Sequence, residues 1–197
     1  EHYDKLGIYG PRSLASQCVH LSEREIELVS SAGTRCVHMP LSNCEVGGGI
    51  APIPELLEKG VRVSLGSDGY MNDMFDVMRG AFLIHKARLQ DPGTMKAEQV
   101  FEMATLQGAE ALGLDNVGAL KPGFVADLQL IVANFPTPST EENLIEQVIL
   151  YRSGHHVDSV MIAGKWKLKN GEILGADLEN QRESVHRQAR RLWGENG

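Results

Sequence analysis

The sequence predicts an α/β fold whose character changes near Gly118. Three observations predict it. Short apolar runs alternate with helical patterns up to about residue 120, as in the repeated β-α units that build a parallel sheet. Pro122-Gly123 then signals a turn, after which strands are joined by turn residues. The final stretch is polar with a helical period. These changes divide the chain into residues 1–120, 121–175 and 176–197.

The elements follow in order. Residues 13–18 (SLASQC) are rich in small side chains and fit a buried strand. Ser22 opens S-E-R-E, a capping box with Glu25, before a helix carrying Ile26, Leu28 and Val29 that Gly33 ends. Residues 34–38 (TRCVH) are the next strand. Pro52 and Pro54 precede a helix over 55–59 that Gly60 terminates. Residues 61–67 (VRVSLGS) are the clearest strand, with β-branched residues running into Gly66. Helical spacing recurs over 73–90 (Phe75, Met78, Phe82, His85) and over 96–112 (Val100, Met103, Ala104, Ala111). Past the turn, 127–132 and 157–163 read as strands, and 134–142, with Pro136 and Pro138, as a loop. Residues 165–174 read as a hairpin turning at Asn170-Gly171. Residues 177–193 form an amphipathic helix with Leu178, Val185, Ala189 and Leu192 on one side.

Composition narrows the function. The 197 residues are too few for a complete (β/α)₈ barrel of about 250. Nineteen basic residues against 26 acidic give a net charge of −7, which argues against nucleic acid or a membrane surface as partner. No apolar stretch approaches the roughly 18 residues of a membrane span. Cys18, Cys36 and Cys44 are odd in number and form no CxxC, so a reducing cytoplasm is expected rather than a disulfide framework. The opening residues EHYDKLGIYG show neither a signal design nor an initiator Met, and the chain is expected to begin inside a larger protein.

Chemistry in such a fold sits just after the strands. Three strands end in polar residues: Gln17-Cys18-Val19-His20, His38 to Asn43, and Gly66-Ser67-Asp68-Gly69. Asp68 could bind a metal, accept a proton from water or cap the next turn. His38 could meet a substrate or be a core histidine; His20 begins the loop leading to the capping box, which favours a structural reading for it over a site role. Gly47-Gly48-Gly49 could cradle a phosphate, but it lacks the Lys and Ser/Thr of a P-loop. His155-His156 are neighbours before a strand, where extended backbone points them to opposite sides. Gln17, His38 and Asp68 are expected to converge, because parallel strands present their C-terminal ends to one face. Cys18 and Cys36 read as packing residues, and His85 as a structural one.

The order of these pieces resembles the amidohydrolase superfamily. It runs Q-C-V-H-L-S-E-R-E-I, V-H-M-P-L-S-N, G-I-A-P-I-P-E-L-L-E-K-G-V, then L-G-S-D-G. The similarity is to the cytosine/guanine deaminase and chlorohydrolase-like branch, with G-S-D-G-Y-M-N-D-M-F resembling the SsnA-type members. V-G-A-L-K-P-G-F-V-A-D-L and V-D-S-V-M-I-A-G-K are similar to that family's return to a small β-sandwich. The resemblance implies the C-terminal part of a (β/α)₈ TIM-like barrel: strands six to eight at 13–18, 34–38 and 61–67, a β-sandwich portion over 121–175 and a C-terminal helix. It implies a metal-dependent hydrolase of C–N bonds in a ring amine or cyclic amide, using metal-activated water.

By the same resemblance Asp68 is metal ligand and proton acceptor, and Gln17 faces substrate or water. His38, Asn43 and His20 are the substrate-side candidates. The implied cofactor is zinc, or iron, with most ligands expected upstream, because no HxH occurs in the chain. Gln17 stands where the family has a histidine in A-H-C-V-H-L, and a glutamine cannot carry a proton at neutral pH. A catalytically inactive scaffold or truncated fragment is the alternative, and a phosphate binder using Gly47–Gly49 a third. The expected partners are a small-molecule substrate and either a second copy or the missing N-terminal part, either of which would cover the free edges of 13–18 and 61–67.

Overall fold

Short strands rich in small and β-branched residues pair first with each other and then bury one face under helices. The structure, a computed structural model, describes residues 1–69 and 71–194. Its first part runs α1 (His2–Lys5), β1 (Leu14–Ser16), α2 (Glu23–Ser31), β2 (Arg35–His38), α3 (Pro40–Glu45), α4 (Ile53–Glu58) and β3 (Val63–Leu65). It continues through α5 (Met74–Leu89), α6 (Ala97–Ala104) and α7 (Leu106–Leu112). The second part holds β4 (Leu128–Ile131), α8 (Leu144–Tyr151), β5 (Val157–Ile162), β6 (Lys165–Lys169), β7 (Glu172–Ile173) and α9 (Leu178–Leu192).

β1, β2 and β3 form a parallel sheet in sequence order, with Ala15 opposite Cys36 and Cys36 opposite Val63. β4 to β7 form a separate antiparallel sheet, also in sequence order. The predicted capping box is present: Ser22 accepts from the Glu25 N–H, and the Glu25 carboxylate accepts from the Ser22 N–H. Asn170 and Gly171 both take positive φ, as the tight turn between β6 and β7 demands. Cys36 and Val63 of the sheet pack with Ile53 and Leu56 of α4, Val77 of α5, Val100 and Met103 of α6, and Ile149 of α8.

The structure departs from expectation at four places. The helix predicted over 96–112 is two helices, because Thr105 leaves helical backbone (φ −123°, ψ −93°) and its hydroxyl bonds back to the Phe101 carbonyl at 2.8 Å. The segment from Pro40, read from the sequence only as the polar end of a strand, is helical: proline with its fixed φ starts α3. α8 was missed, and it forms because Val148 and Ile149 bury on one side. His155-His156 lie in a 3₁₀ turn, Gly154–His156, not on extended chain. The helix near the C-terminus forms as α9 but buries none of its residues, and Val185 is 65% exposed.

Arg152 ties the second part to the first. It is buried, its two terminal nitrogens donate to the Val132 and Asn134 carbonyls at 3.1 and 3.0 Å, and its guanidinium lies 4.4 Å from the Phe135 ring centroid. Its own carbonyl accepts from Arg79 of α5 at 2.6 Å. Arg152→Ala orphans two carbonyls and is expected to lower unfolding free energy by about 3 kcal/mol. Urea titration followed by circular dichroism measures it, and a loss under about 1 kcal/mol would deny the guanidinium a part in holding residues 132–135; the bond from Arg79 to the backbone carbonyl of residue 152 survives the substitution.

Candidate active site

Parallel pairing brings the ends of β1, β2 and β3 to one rim. Beyond β1, Gln17 and Cys18 both take left-handed backbone (φ 69° and 55°), which turns the chain sharply off the strand. Beyond β3, a Cβ added at Gly66 would stand 2.7 Å from Val37 Cγ1, so glycine lets the chain pass this close to β2. Asp68 is again left-handed, with φ 57°. Left-handed backbone at a non-glycine residue costs of order 1 kcal/mol or more, and such strain gathers at functional sites.

The turns deliver three donors to one carboxylate. Asp68 Oδ2 accepts from Gln17 Nε2 at 2.9 Å and from Ser42 Oγ at 2.8 Å. Asp68 Oδ1 accepts from the Gly69 N–H at 2.8 Å. The Ser42 hydroxyl first and then the Gly69 amide hold the Asp68 carboxyl below the usual carboxylate range; desolvation opposes them, and the Gln17 amide adds to the lowering last. Gln17 lies 51 residues from Asp68 in sequence, and Ser42 lies 26.

Among the described residues, no hydrogen bond joins the other expected site residues to this carboxylate. His38 does not join Gln17 and Asp68: it is 1% exposed and its Nε2 stands 3.1 Å from Nε2 of His85 on α5. Asn43 is buried in α3, and its carbonyl accepts from the Gly48 N–H at 2.8 Å. The glycine triplet therefore forms the turn that ends α3. His20 is exposed in the turn before α2. Ser42 was not singled out from the sequence, although Pro40 at the start of a helix places it in the first turn, beside the rim. Among the described residues no group of three or more His, Cys, Asp or Glu could hold a metal ion. A catalytic zinc takes about three protein ligands, so the donors of this chain do not by themselves fit one.

Two outcomes follow from these contacts. Ser42→Ala is expected to raise the Asp68 pKa toward its ordinary value, and Gln17→Ala to raise it less, as read by carbon-13 NMR of the carboxyl group. An unchanged Asp68 titration in Ser42→Ala would remove the hydroxyl as the principal cause.

Burial pushes His38 down to about 3 and, with the nearby Arg88 charge, His85 down to about 4, while Glu55 pulls His85 the other way. Unfolded histidines take up protons near 6.5 that these folded ones refuse. Stability is therefore full above that pH and falls as acid is added toward the folded values, by at most about 1.36 kcal/mol per pH unit for each histidine. Replacing His85 with Phe should flatten the drop in urea midpoint between neutral and mildly acidic buffer. An equally steep drop would exclude this pair as its source.

The amidohydrolase family matches residues 1–167. The chain is 34% identical over 191 residues to a 5'-deoxyadenosine deaminase of Methanopyrus kandleri, covering 93% of this chain and 44% of that protein. It is 37% identical over 195 residues to a 5-methylthioadenosine/S-adenosylhomocysteine deaminase of Pelotomaculum thermopropionicum, covering 97% and 45%. The chain thus spans less than half the length of these relatives. An adenosine deaminase from Xanthomonas campestris, solved with bound zinc, superposes with a TM-score of 0.92 at 30% identity, over 98% of this chain and 45% of that one. Atrazine chlorohydrolase TrzN from Arthrobacter aurescens, complexed with zinc, gives 0.78 at 25% identity, over 93% and 42%. With the family matched across most of its length and the fold shared with zinc-bound relatives, the chain belongs to the amidohydrolase family.

Proposed function

We propose that this chain is the C-terminal part of a metal-dependent amidohydrolase that deaminates a ring amine, with an adenosine-type nucleoside as substrate. The observation that carries the reading is the Asp68 carboxylate, held ionised at the sheet rim by Ser42, Gly69 and Gln17. Likeness to deaminases of 5'-deoxyadenosine and 5-methylthioadenosine supports the substrate class. In this reading β1, β2 and β3 correspond to strands six to eight of a (β/α)₈ barrel. The antiparallel sheet is its β-sandwich portion, and the chain divides at residues 120 and 175.

Asp68 supplies one ligand and takes a proton from the hydrolytic water. Its ionised state suits both tasks, since the carboxylate carries the negative charge that attracts a cation and the basicity to take up a proton, and the neutral acid has neither. Gln17 orients that carboxylate through its amide N–H and stays neutral. Zinc, rather than iron, is the proposed metal, with its remaining ligands outside these 197 residues. The proposed partners are the small-molecule substrate and either a second copy or the rest of the protein against the outer edges of β1 and β3.

The test uses a protein of the relatives' length that contains this sequence. It should release ammonia from 5'-deoxyadenosine and contain stoichiometric zinc by elemental analysis. Asp68→Ala should cut turnover by about 10²–10⁴-fold. Gln17→His should keep or raise it. The 197-residue chain alone should hold no tight zinc. Unchanged turnover in Asp68→Ala would overturn the assignment, and absent turnover in the zinc-loaded wild type would favour the scaffold reading.

A further inference from the structure

We propose that His85 is a positioning residue: through His38 it holds the start of α3 so that the Ser42 hydroxyl meets Asp68. The inference rests on Asp68 being the working carboxylate and adds the device that orients it.

The geometry runs in a short chain of contacts. His85 lies on α5, wholly buried, with its Nε2 3.1 Å from Nε2 of His38. The rings are tilted by 48° with centroids 5.0 Å apart, so they meet through nitrogen atoms rather than by stacking. One ring must donate and the other accept. This makes the contact directional, and it fixes the distance from α5 to the last residue of β2. Met39 and Pro40 follow, and proline's locked φ carries the placement into α3. Leu41 then lies against Gly80 of α5, where an added Cβ would stand 2.7 Å from Leu41 Cδ2. Ser42 comes next, and its Oγ reaches Asp68 Oδ2 at 2.8 Å.

Packing alone does not call for this pair. Nδ1 of His38 and Nδ1 of His85 are both buried without a hydrogen-bond partner among the described residues. Two apolar side chains would fill the space without orphaning either atom. What the imidazoles add is a fixed distance and direction between β2 and α5.

The experiment is solution NMR on the nitrogen-15-labelled 197-residue chain. The reporter is the Gly69 amide, which donates to the same carboxylate at 2.8 Å. Ser42→Ala sets the direction of the shift that follows loss of the hydroxyl. His85→Phe should move the Gly69 resonance the same way. His85→Gln, whose side-chain amide can still meet His38 Nε2, should restore it. The wild-type imidazole spectrum should show one Nε2–H and one unprotonated Nε2 in the pair. A folded His85→Phe chain with an unmoved Gly69 resonance would overturn the proposal. If His85→Phe does not fold, His85→Asn decides: its shorter amide falls short of His38 Nε2 and should shift Gly69 as Ser42→Ala does, and an unmoved resonance there would equally overturn it. Failure of the deaminase reading would appear in the ammonia assay and leave these resonances as they are.

Discussion

Parallel pairing of β1, β2 and β3 is the constraint on which the site depends. Their registered ladder sends all three strand ends to one rim, so a carboxylate and an amide separated by 51 residues can share a hydrogen bond. Had any strand run the other way, Gln17, Ser42 and Asp68 would sit at opposite ends of the sheet. The helices serve this ladder. α4, α6 and α7 cover β3, whose Val63, Ser64 and Leu65 are all buried, while α5 fixes the far end of β2 through His85. The left-handed backbone at Gln17, Cys18 and Asp68 is the cost of bending two chains toward each other within a residue or two of their strands.

Much of this was legible in the sequence, and the rest was hidden for physical reasons. The capping box at Ser22, the Asn170-Gly171 turn and the strand running into Gly66 are local signals, and each came out as read. Gln17 meeting Asp68 was legible too, because it follows from parallel topology. The choice for His38 stayed open in the sequence because a histidine closing a strand can face either side of the sheet, and only the packing of α5 places its ring against His85. Ser42 went unnoticed because a serine in a helix's first turn looks like ordinary solvation until a carboxylate is placed beside it. Thr105 broke a helix whose apolar spacing continued unbroken across it, and a hydroxyl turning back to its own chain leaves no mark on periodicity.

The donors around Asp68 differ in kind from the carboxylate they hold. A single carboxylate is surrounded by neutral hydrogen-bond donors, the Ser42 hydroxyl, the Gln17 amide and the Gly69 N–H. Glutamine at position 17 fits that surrounding: its amide nitrogen can donate to Asp68 at any pH, whereas an imidazole there would change charge with acidity. The Asp68 rim is thus insulated from titration by its immediate partners, Ser42, Gln17 and the Gly69 amide.

The long sequence span of the Gln17–Asp68 contact also has a temporal consequence. At roughly 5–20 residues per second of synthesis, the 51 residues between them occupy roughly 3–10 s. The β6–β7 hairpin, by contrast, needs only its own neighbours and closes in about 1–10 μs. β1 therefore emerges from the ribosome seconds before β3 exists to complete the sheet, with Gln17 and Cys18 waiting at its open end. The Gln17–Asp68 contact therefore waits for β3, and the helices α5, α6 and α7, which follow it in the sequence, cover the sheet later still.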